Sequence, residues 1–249
     1  MKAIGLIGGM SWESTAVYYQ QINQAVREQM GGLHSAEIVM HSCDFAEIVA
    51  LQQQGHWDAM AGKLAAAAQA LERAGAGCVA ICTNTMHKVA PEVQAAVNIP
   101  LIDIRDVTGE AIETDGLHTV GLLGTRYTME QEFFRAHLAR EWGLKVLTPP
   151  ESMHGVVHEI IFGELCQGIV NPPNRIRMTE IISEMAGRGA QGIILGCTEL
   201  MLLLGQDDSP LPLYDTTTLH ARALVSHAMG GEAPGARVLP ATHPMLAAV

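Results

Sequence analysis

Cys197 is the residue whose position most clearly suggests chemistry. It follows the apolar run 193–196 and precedes Thr198 and Glu199, so it stands where a buried strand ends and a turn or helix begins. Backbone amides at such a point can stabilise a thiolate, which is both a base and a nucleophile. A free cysteine is otherwise often a small core residue. The strand-end position and the adjacent polar pair favour a catalytic thiol.

A second candidate group lies in the run Cys82-Thr83-Asn84-Thr85, which ends another apolar stretch. The segments 74–85 and 188–199 resemble each other in outline. The simplest alignment, at an offset of 115 residues, matches Cys82 to Cys197, whereas the glycine-alanine pair that opens each segment gives an offset of 114 and matches Thr83 instead. The repeat by itself therefore leaves Cys82 and Thr83 both open.

The similarity between the two parts of the chain extends beyond these segments. Gly5–Gly8 recurs as Gly121–Gly124, and the segment 99–103 recurs as 211–215. Three landmarks in the same order at nearly the same offset predict a duplicated half. The ends of equivalent strands would then face each other across a cleft.

Apolar strands alternate with helical stretches of roughly 10–20 residues along the chain, which predicts mostly parallel sheets with helices on both faces. Ligands of such sheets bind at the carboxyl ends of the strands. We predict an α/β fold of two pseudo-symmetric domains with the active site in the cleft between them. The predicted first domain is 1–98 with 211–229, the second is 99–210, and 230–249 form a tail.

Composition excludes several classes of function. The 249 residues carry a formal net charge of −11 and no cluster of Lys or Arg, which argues against binding to nucleic acid. No apolar run is long enough to predict a signal peptide or a membrane span. The five cysteines form no CxxC pair and are read as reduced thiols of a cytoplasmic protein.

The sequence offers weak signals for cofactors or metals. The N-terminal glycines spell GxxGGM rather than the GxGxxG of dinucleotide-binding folds. His87, His154 and His158 lack a further ligand at metal-site spacing, so no metal site is predicted.

Three motifs together are specific to a known family: Gly8-Gly9-Met10-Ser11-Trp12-Glu13-Ser14, the run 82–87 and the run 196–200. Over residues 1–229 they resemble the aspartate/glutamate racemase family, and within it the enterobacterial aspartate/glutamate-specific enzymes. This resemblance implies two similar α/β domains, an active site that needs no cofactor, and a homodimer.

The resemblance also implies a mechanism. Members of the family move the Cα proton with two cysteines, because a single base would return the proton to the face that it left. Their first motif usually reads Cys-Asn-Thr, whereas Thr83 precedes Asn84 here. A shift of one residue on a strand points a side chain to the opposite face, so the resemblance assigns catalysis to Thr83 and Cys197 rather than Cys82. A threonine is the poorer base, which implies faster turnover of L-substrates.

The remaining site residues are also carried over from the family. Met10, Asn84, Thr85 and Thr198 would hold the substrate α-carboxylate and amine, with Glu199 near the amine. Gln52 would lie in a loop that contacts the substrate side chain. Cys166 stands where many relatives have a lysine, which places strict aspartate specificity in question.

We therefore expect an amino-acid racemase that interconverts L- and D-aspartate or glutamate without a cofactor. Two alternatives stay open. The absence of a second thiol at position 83 is compatible with a single-cysteine decarboxylase or isomerase of small dicarboxylates, and the same fold could serve as a catalytically silent amino-acid binding protein.

Overall fold

The computed structural model describes residues 1–231, which form two parallel sheets with helices on both faces. The first sheet has the strand order β2-β1-β3 and the second has the order β5-β4-β6-β7, with every paired strand parallel. The strands are β1 (Ala3–Gly8), β2 (Ile38–Ser42), β3 (Ala76–Ile81), β4 (Thr119–Gly124), β5 (Lys145–Leu147), β6 (Gly192–Gly196) and β7 (Leu213–Asp215). The predicted α/β class with parallel sheets is confirmed.

Ten α-helices connect or cover these strands within the described range. They are α1 (Trp12–Met30), α2 (Phe45–Gln53), α3 (Trp57–Arg73), α4 (Ala90–Ala95), α5 (Ile104–Thr114), α6 (Arg126–Glu130), α7 (Glu132–Trp142), α8 (Glu151–Glu159), α9 (Pro172–Gly187) and α10 (Thr216–Ala228). Short 3-10 turns cover Thr85–Val89, Leu165–Gln167, Leu200–Leu202 and Gln206–Asp208, and a π-helical turn covers Ile160–Glu164. None of these helices combines the length and the apolar character that a membrane span requires.

Strands β1 and β3 of the first sheet are buried on both faces, which explains why they read as apolar runs rather than as alternating patterns. On one face Ile7 and Ile81 pack against Leu64 and other residues of α3. On the other face Leu6 packs with Tyr18 of α1 and with α10. The second sheet is covered in the same way, by α8 and α9 on one side and by α5 and α7 on the other.

The segment 211–229 contacts both halves of the molecule. Strand β7 pairs with β6 in the second sheet, whereas the helix that follows it, α10, packs against α1 of the first half and α5 of the second. The sequence assigned this whole segment to the first domain. The domain limits stay a prediction, and most of the predicted tail, residues 232–249, lies outside the described residues.

The turn after β1 requires glycine at position 9. Gly9 has a φ of +79°, which L-residues with a side chain rarely adopt. A Cβ atom there would lie 2.5 Å from the Cys43 backbone nitrogen and closer still to the Cys43 carbonyl oxygen. The Gly9 N–H donates to Thr15 Oγ1 at 2.9 Å. These contacts fix the path of the chain from β1 into Met10 and Ser11.

We expect Gly9→Ala to lower the free energy of unfolding by roughly 1–3 kcal/mol, because both the backbone conformation and the adjacent backbone oppose a side chain. Gly62→Ala is the matched control, since Gly62 lies on an exposed face of α3 with no atom near its Cβ position. That change should stabilise the protein by about 0.5–1 kcal/mol. Urea unfolding measures both. Equal stability of the two variants would contradict the argument.

Candidate active site

One cavity lies where the carboxyl ends of β1 and β3 approach the carboxyl end of β6. Residues of both sheets line it, as expected for parallel strands whose ends meet across a cleft. All eight residues that the sequence analysis selected for the site line this cavity: Met10, Gln52, Thr83, Asn84, Thr85, Cys197, Thr198 and Glu199.

The two candidate proton-transfer residues reach the cavity from different sheets. Thr83 follows β3 and is half-buried, and Cys197 follows β6 and is buried. Cys82, by contrast, lies on the other side of its strand in a core cluster with Tyr18 and α10, and it does not line the cavity. Burial raises its pKa far above that of an ordinary thiol.

Glu199 is the hydrogen-bonding centre of the site. Its carboxylate is 3% exposed and accepts three hydrogen bonds: from Ser11 Oγ at 2.8 Å, from Cys197 Sγ at 2.9 Å and from Thr198 Oγ1 at 2.8 Å. Ser11 also caps α1, whose Ser14 N–H donates to its side chain at 3.3 Å. The carboxylate therefore connects the turn after β1 to the turn after β6.

The electrostatics of Cys197 differ from the expectation that backbone amides stabilise a thiolate. Burial raises the pKa of its thiol well above the ordinary value, and the Glu199 carboxylate and Cys166 raise it further. Cys197 is therefore a thiol that donates its proton toward Glu199. The expectation was wrong because burial, together with the carboxylate two residues away, outweighs the amides of the turn.

Asn84 presents an unsatisfied acceptor to the cavity. Its side chain is 2% exposed, and its Nδ2 donates to Thr216 Oγ1 at 3.0 Å, which in turn donates to the Leu195 carbonyl at 2.9 Å. Asn84 Oδ1 has no hydrogen-bond partner within the described chain. Buried polar atoms of this kind are nearly always paired, so a donor from a ligand is expected here.

A ring of three threonine hydroxyls lies beside Asn84. Thr85 Oγ1 is 3.3 Å from Thr125 Oγ1 and 3.4 Å from Thr128 Oγ1, and the last two are 3.2 Å apart. Thr85 and Thr125 also line the cavity. Since hydroxyl groups rotate freely, the ring can turn an O–H toward an anionic group of a ligand.

His87 supports the Thr83 turn rather than a metal. Its Nδ1–H donates to the Thr83 carbonyl at 2.8 Å, and its Nε2 accepts from the Ile104 N–H at 3.2 Å. Burial lowers the pKa of His87 to about 4, so the ring is neutral near pH 7. Both nitrogens are therefore occupied, and the imidazole holds the backbone that presents Thr83.

A group of possible metal ligands lies outside the cavity lining. Asp103, Asp106 and His137 bring three such atoms within 4.8 Å of one another. Arg105 donates to both carboxylate oxygens of Asp103, at 2.9 and 2.6 Å, and His137 lies 2.6 Å from Asp106. Arg105 thus balances the charge of Asp103.

Sequence reasoning missed the residues that close the cavity. Gln52 lies in the last turn of α2 rather than in a loop, and α2 brings Phe45 and Ile48 with it. From the second half, Ile161 and Phe162 of the π-helical turn complete this side. A possible signal for α2 was Asp44, whose side chain accepts from the Ala46 N–H and so caps the helix.

A model of the Asp/Glu/hydantoin racemase family matches residues 7–224. The chain belongs to this family. The family resemblance seen in the three motifs and the expectation of a racemase enzyme are thereby confirmed.

Individual relatives cover nearly the whole chain. It is 24% identical over 230 residues to the broad specificity amino-acid racemase RacX of Bacillus subtilis (strain 168), across 90% of this chain and 96% of that relative. Two solved structures are similar over 92% of this chain and all of their own: a candidate Asp/Glu racemase from Yersinia pestis, at 48% identity with a TM-score of 0.87, and PH1733, an aspartate racemase homologue from Pyrococcus horikoshii OT3, at 37% with a TM-score of 0.81.

We expect Glu199→Gln to make Cys197 react faster with iodoacetamide at pH 8. The neutral amide no longer disfavours the thiolate, so the pKa of Cys197 falls and the thiolate fraction rises. Peptide mass spectrometry reports labelling of Cys197 separately from the other four cysteines. Thr198→Val, which removes a neighbouring hydroxyl but leaves the carboxylate, is the control and should change the rate much less. Slower labelling of the Gln variant would contradict this electrostatic account.

Proposed function

We propose that this protein racemises amino acids by moving the Cα proton between Cys197 and Thr83, without a cofactor. The observation that supports this most is that two proton-bearing side chains from the strand ends of opposite sheets line one cavity. Inversion at Cα requires one group to remove a proton from one face and another to deliver a proton to the other face.

The groups around these two residues suit the constant part of an amino acid. The ammonium group can donate to the unsatisfied Asn84 Oδ1. The α-carboxylate can accept from the hydroxyl ring of Thr85 and Thr125. These interactions are neutral on the protein side, so they orient the zwitterion without burying another charge.

Proton transfer from an L-substrate begins at Cys197. The S–H bond breaks as its proton passes to Glu199 Oε2, to which it is already hydrogen-bonded at 2.9 Å. The resulting thiolate takes the Cα proton and becomes a thiol again. The Thr83 O–H donates a proton to the opposite face of the carbanion, and water returns the proton held by Glu199 to the Thr83 oxygen. Each group then recovers its starting state.

The two directions are unequal because the two groups are unequal. A thiol is a far stronger acid than a threonine hydroxyl, and the Cys197 thiol can pass its proton to Glu199 along their hydrogen bond, whereas the Thr83 alkoxide is scarcely populated. Removal of the Cα proton from the side of Thr83 is therefore slow. By analogy with the family, Cys197 serves the L-enantiomer, so L-to-D turnover is the faster direction within the limits of equilibrium.

The reaction class does not define the substrate side chain. The family resemblance implies aspartate and glutamate, whereas RacX is described as having broad specificity. A homodimer and a cytoplasmic location also stay predictions. The first rests on the family resemblance and the second on five free thiols.

Cys197→Ser should abolish exchange of the Cα proton of L-amino acids, with a loss of roughly 10²–10⁴-fold, because the general base is removed. Cys82→Ala is the matched control: it should lower stability by about 1 kcal/mol and retain exchange, since Cys82 faces the core. Proton NMR in D2O with a panel of L- and D-amino acids measures the loss of the Cα signal.

The same experiment separates the alternatives. Retention of more than half of the exchange in Cys197→Ser would refute the assignment, and equal loss in Cys82→Ala would make Cys82 the second base. Release of carbon dioxide from a small dicarboxylate without Cα exchange would select a decarboxylase. Binding without exchange would select a silent amino-acid binding protein.

Activity should persist after dialysis against EDTA. Loss of activity on dialysis, followed by recovery when metal is added, would contradict a metal-free mechanism.

Thr83→Cys should raise exchange of D-substrates relative to L-substrates, because both faces would then have a thiol, which is a far stronger acid than a hydroxyl. The substitution is nearly isosteric, so the melting temperature should change little. Exchange is measured with both enantiomers of one amino acid, in the wild type and the variant. If L-exchange is intact and D-exchange does not increase, Thr83 does not face the substrate and the asymmetric mechanism fails.

A further inference from the structure

The part of the cavity that would hold a substrate side chain is apolar. We call Phe45 and Ile48 of α2, with Ile161 and Phe162 of the π-helical turn, the side-chain wall. The rings of Phe45 and Phe162 stack with centroids 6.2 Å apart and planes inclined by 23°. A wall of this composition favours uncharged groups and penalises a buried charge that has no partner.

The described residues that line the cavity include no lysine, arginine or histidine, and Glu199 is their only charged member. Cations on the surrounding elements are engaged elsewhere. Lys63 is paired with Glu47, and Arg126 lies 2.9 Å from Glu130. Lys88 donates to Gln131 at 2.7 Å and lies 3.8 Å from the centre of the Trp57 ring. A substrate carboxylate in the side-chain position would therefore find no counter-ion.

Cys166 lines the cavity beside the side-chain wall, and the pKa of its thiol indicates that the electrostatic potential there is negative. Burial raises the pKa of its thiol far above the ordinary value, and the carboxylates of Glu199 and Glu13 raise it further. Two negative groups thus act on this part of the cavity, so a third carboxylate from a substrate would be repelled rather than attracted.

Gln52 is the one polar side chain that α2 contributes to the cavity. It is 5% exposed, and its side chain makes no hydrogen bond in the described chain. A hydrogen bond between this amide and a ligand group contributes about 0.5–1.5 kcal/mol net. The amide both donates and accepts, and it is neutral. It therefore matches an uncharged polar group at the end of a substrate side chain.

We propose that this site selects amino acids with an uncharged side chain about as long as that of glutamine, and rejects aspartate and glutamate. The inference rests on the proposed racemase function and names the substrate class of that site. A side-chain amide or hydroxyl can pair with Gln52 while its methylene groups contact the side-chain wall. An isosteric carboxylate would be buried beside apolar groups, near Glu199, without a cation to compensate it.

Isosteric substrate pairs test the proposal on the wild-type enzyme. Rates of Cα proton exchange in D2O give kcat/KM for L-glutamine against L-glutamate and for L-asparagine against L-aspartate. We expect the value for the amide to exceed that for the acid by at least about tenfold in each pair. Equal values, or preference for the acids, would overturn this inference and leave the racemase function intact. Exchange of no amino acid in a broad panel would overturn both.

A charge placed in the side-chain subsite should reverse the selection. Gln52→Lys supplies the missing cation, so the ratio of kcat/KM for L-glutamate to that for L-glutamine should rise at least about tenfold over the wild type. Gln52→Met has a similar length without charge and should keep the preference for neutral side chains. Melting temperatures show whether each variant folds. A folded Gln52→Lys with an unchanged ratio would overturn the proposal, and if it does not fold, the wild-type pairs decide.

Discussion

The buried carboxylate of Glu199 is the group on which both the cleft and its chemistry depend. A carboxylate removed from water needs several donors to offset the loss of hydration. Ser11 supplies one from the first half of the molecule, and Cys197 and Thr198 supply two from the second. The same three bonds therefore stabilise the approach of the two sheets and hold the reactive thiol in place.

This arrangement couples the ionisation of Cys197 to the state of Glu199. The Cys197 thiol is protonated near neutral pH, because burial and the neighbouring carboxylate both raise its pKa. Its proton points toward Glu199 along a 2.9 Å hydrogen bond. Among the residues that the structure describes, no second carboxylate lines the cavity on the side of Thr83. The site is thus chemically asymmetric although the two sheets are related in architecture.

Much of the candidate site could be predicted because parallel strands bring their carboxyl ends to one edge. Residues that follow β1, β3 and β6, such as Met10, Asn84 and Thr198, therefore converge wherever the helices pack. The three family motifs identified these residues as members of one site. The choice between Cys82 and Thr83 depended on the family motif, since the internal repeat supported both.

The rest of the cavity could not be predicted for physical reasons. Strands β5 and β7 have three residues each, too few to show a period. The π-helical turn 160–164 departs from regular α-helical geometry where Phe162 stacks on Phe45, and no sequence pattern predicts such a departure. Ser11 and Glu199 are hydrogen-bonded although they lie 188 positions apart in the sequence. No local sequence pattern near either residue predicts this contact.

The two sides of the cavity resist opening to different extents. On the side of Asn84, a buried chain of hydrogen bonds runs from Asn84 through Thr216 to the Leu195 carbonyl. Breaking it would leave polar groups unpaired and away from water. At the opposite side, Phe45 and Phe162 touch only through their ring faces, which can separate and meet again without leaving an unpaired donor. Separating this aromatic pair therefore costs less free energy than breaking the buried hydrogen bonds of Asn84, and we infer that the cavity opens more readily between the two rings.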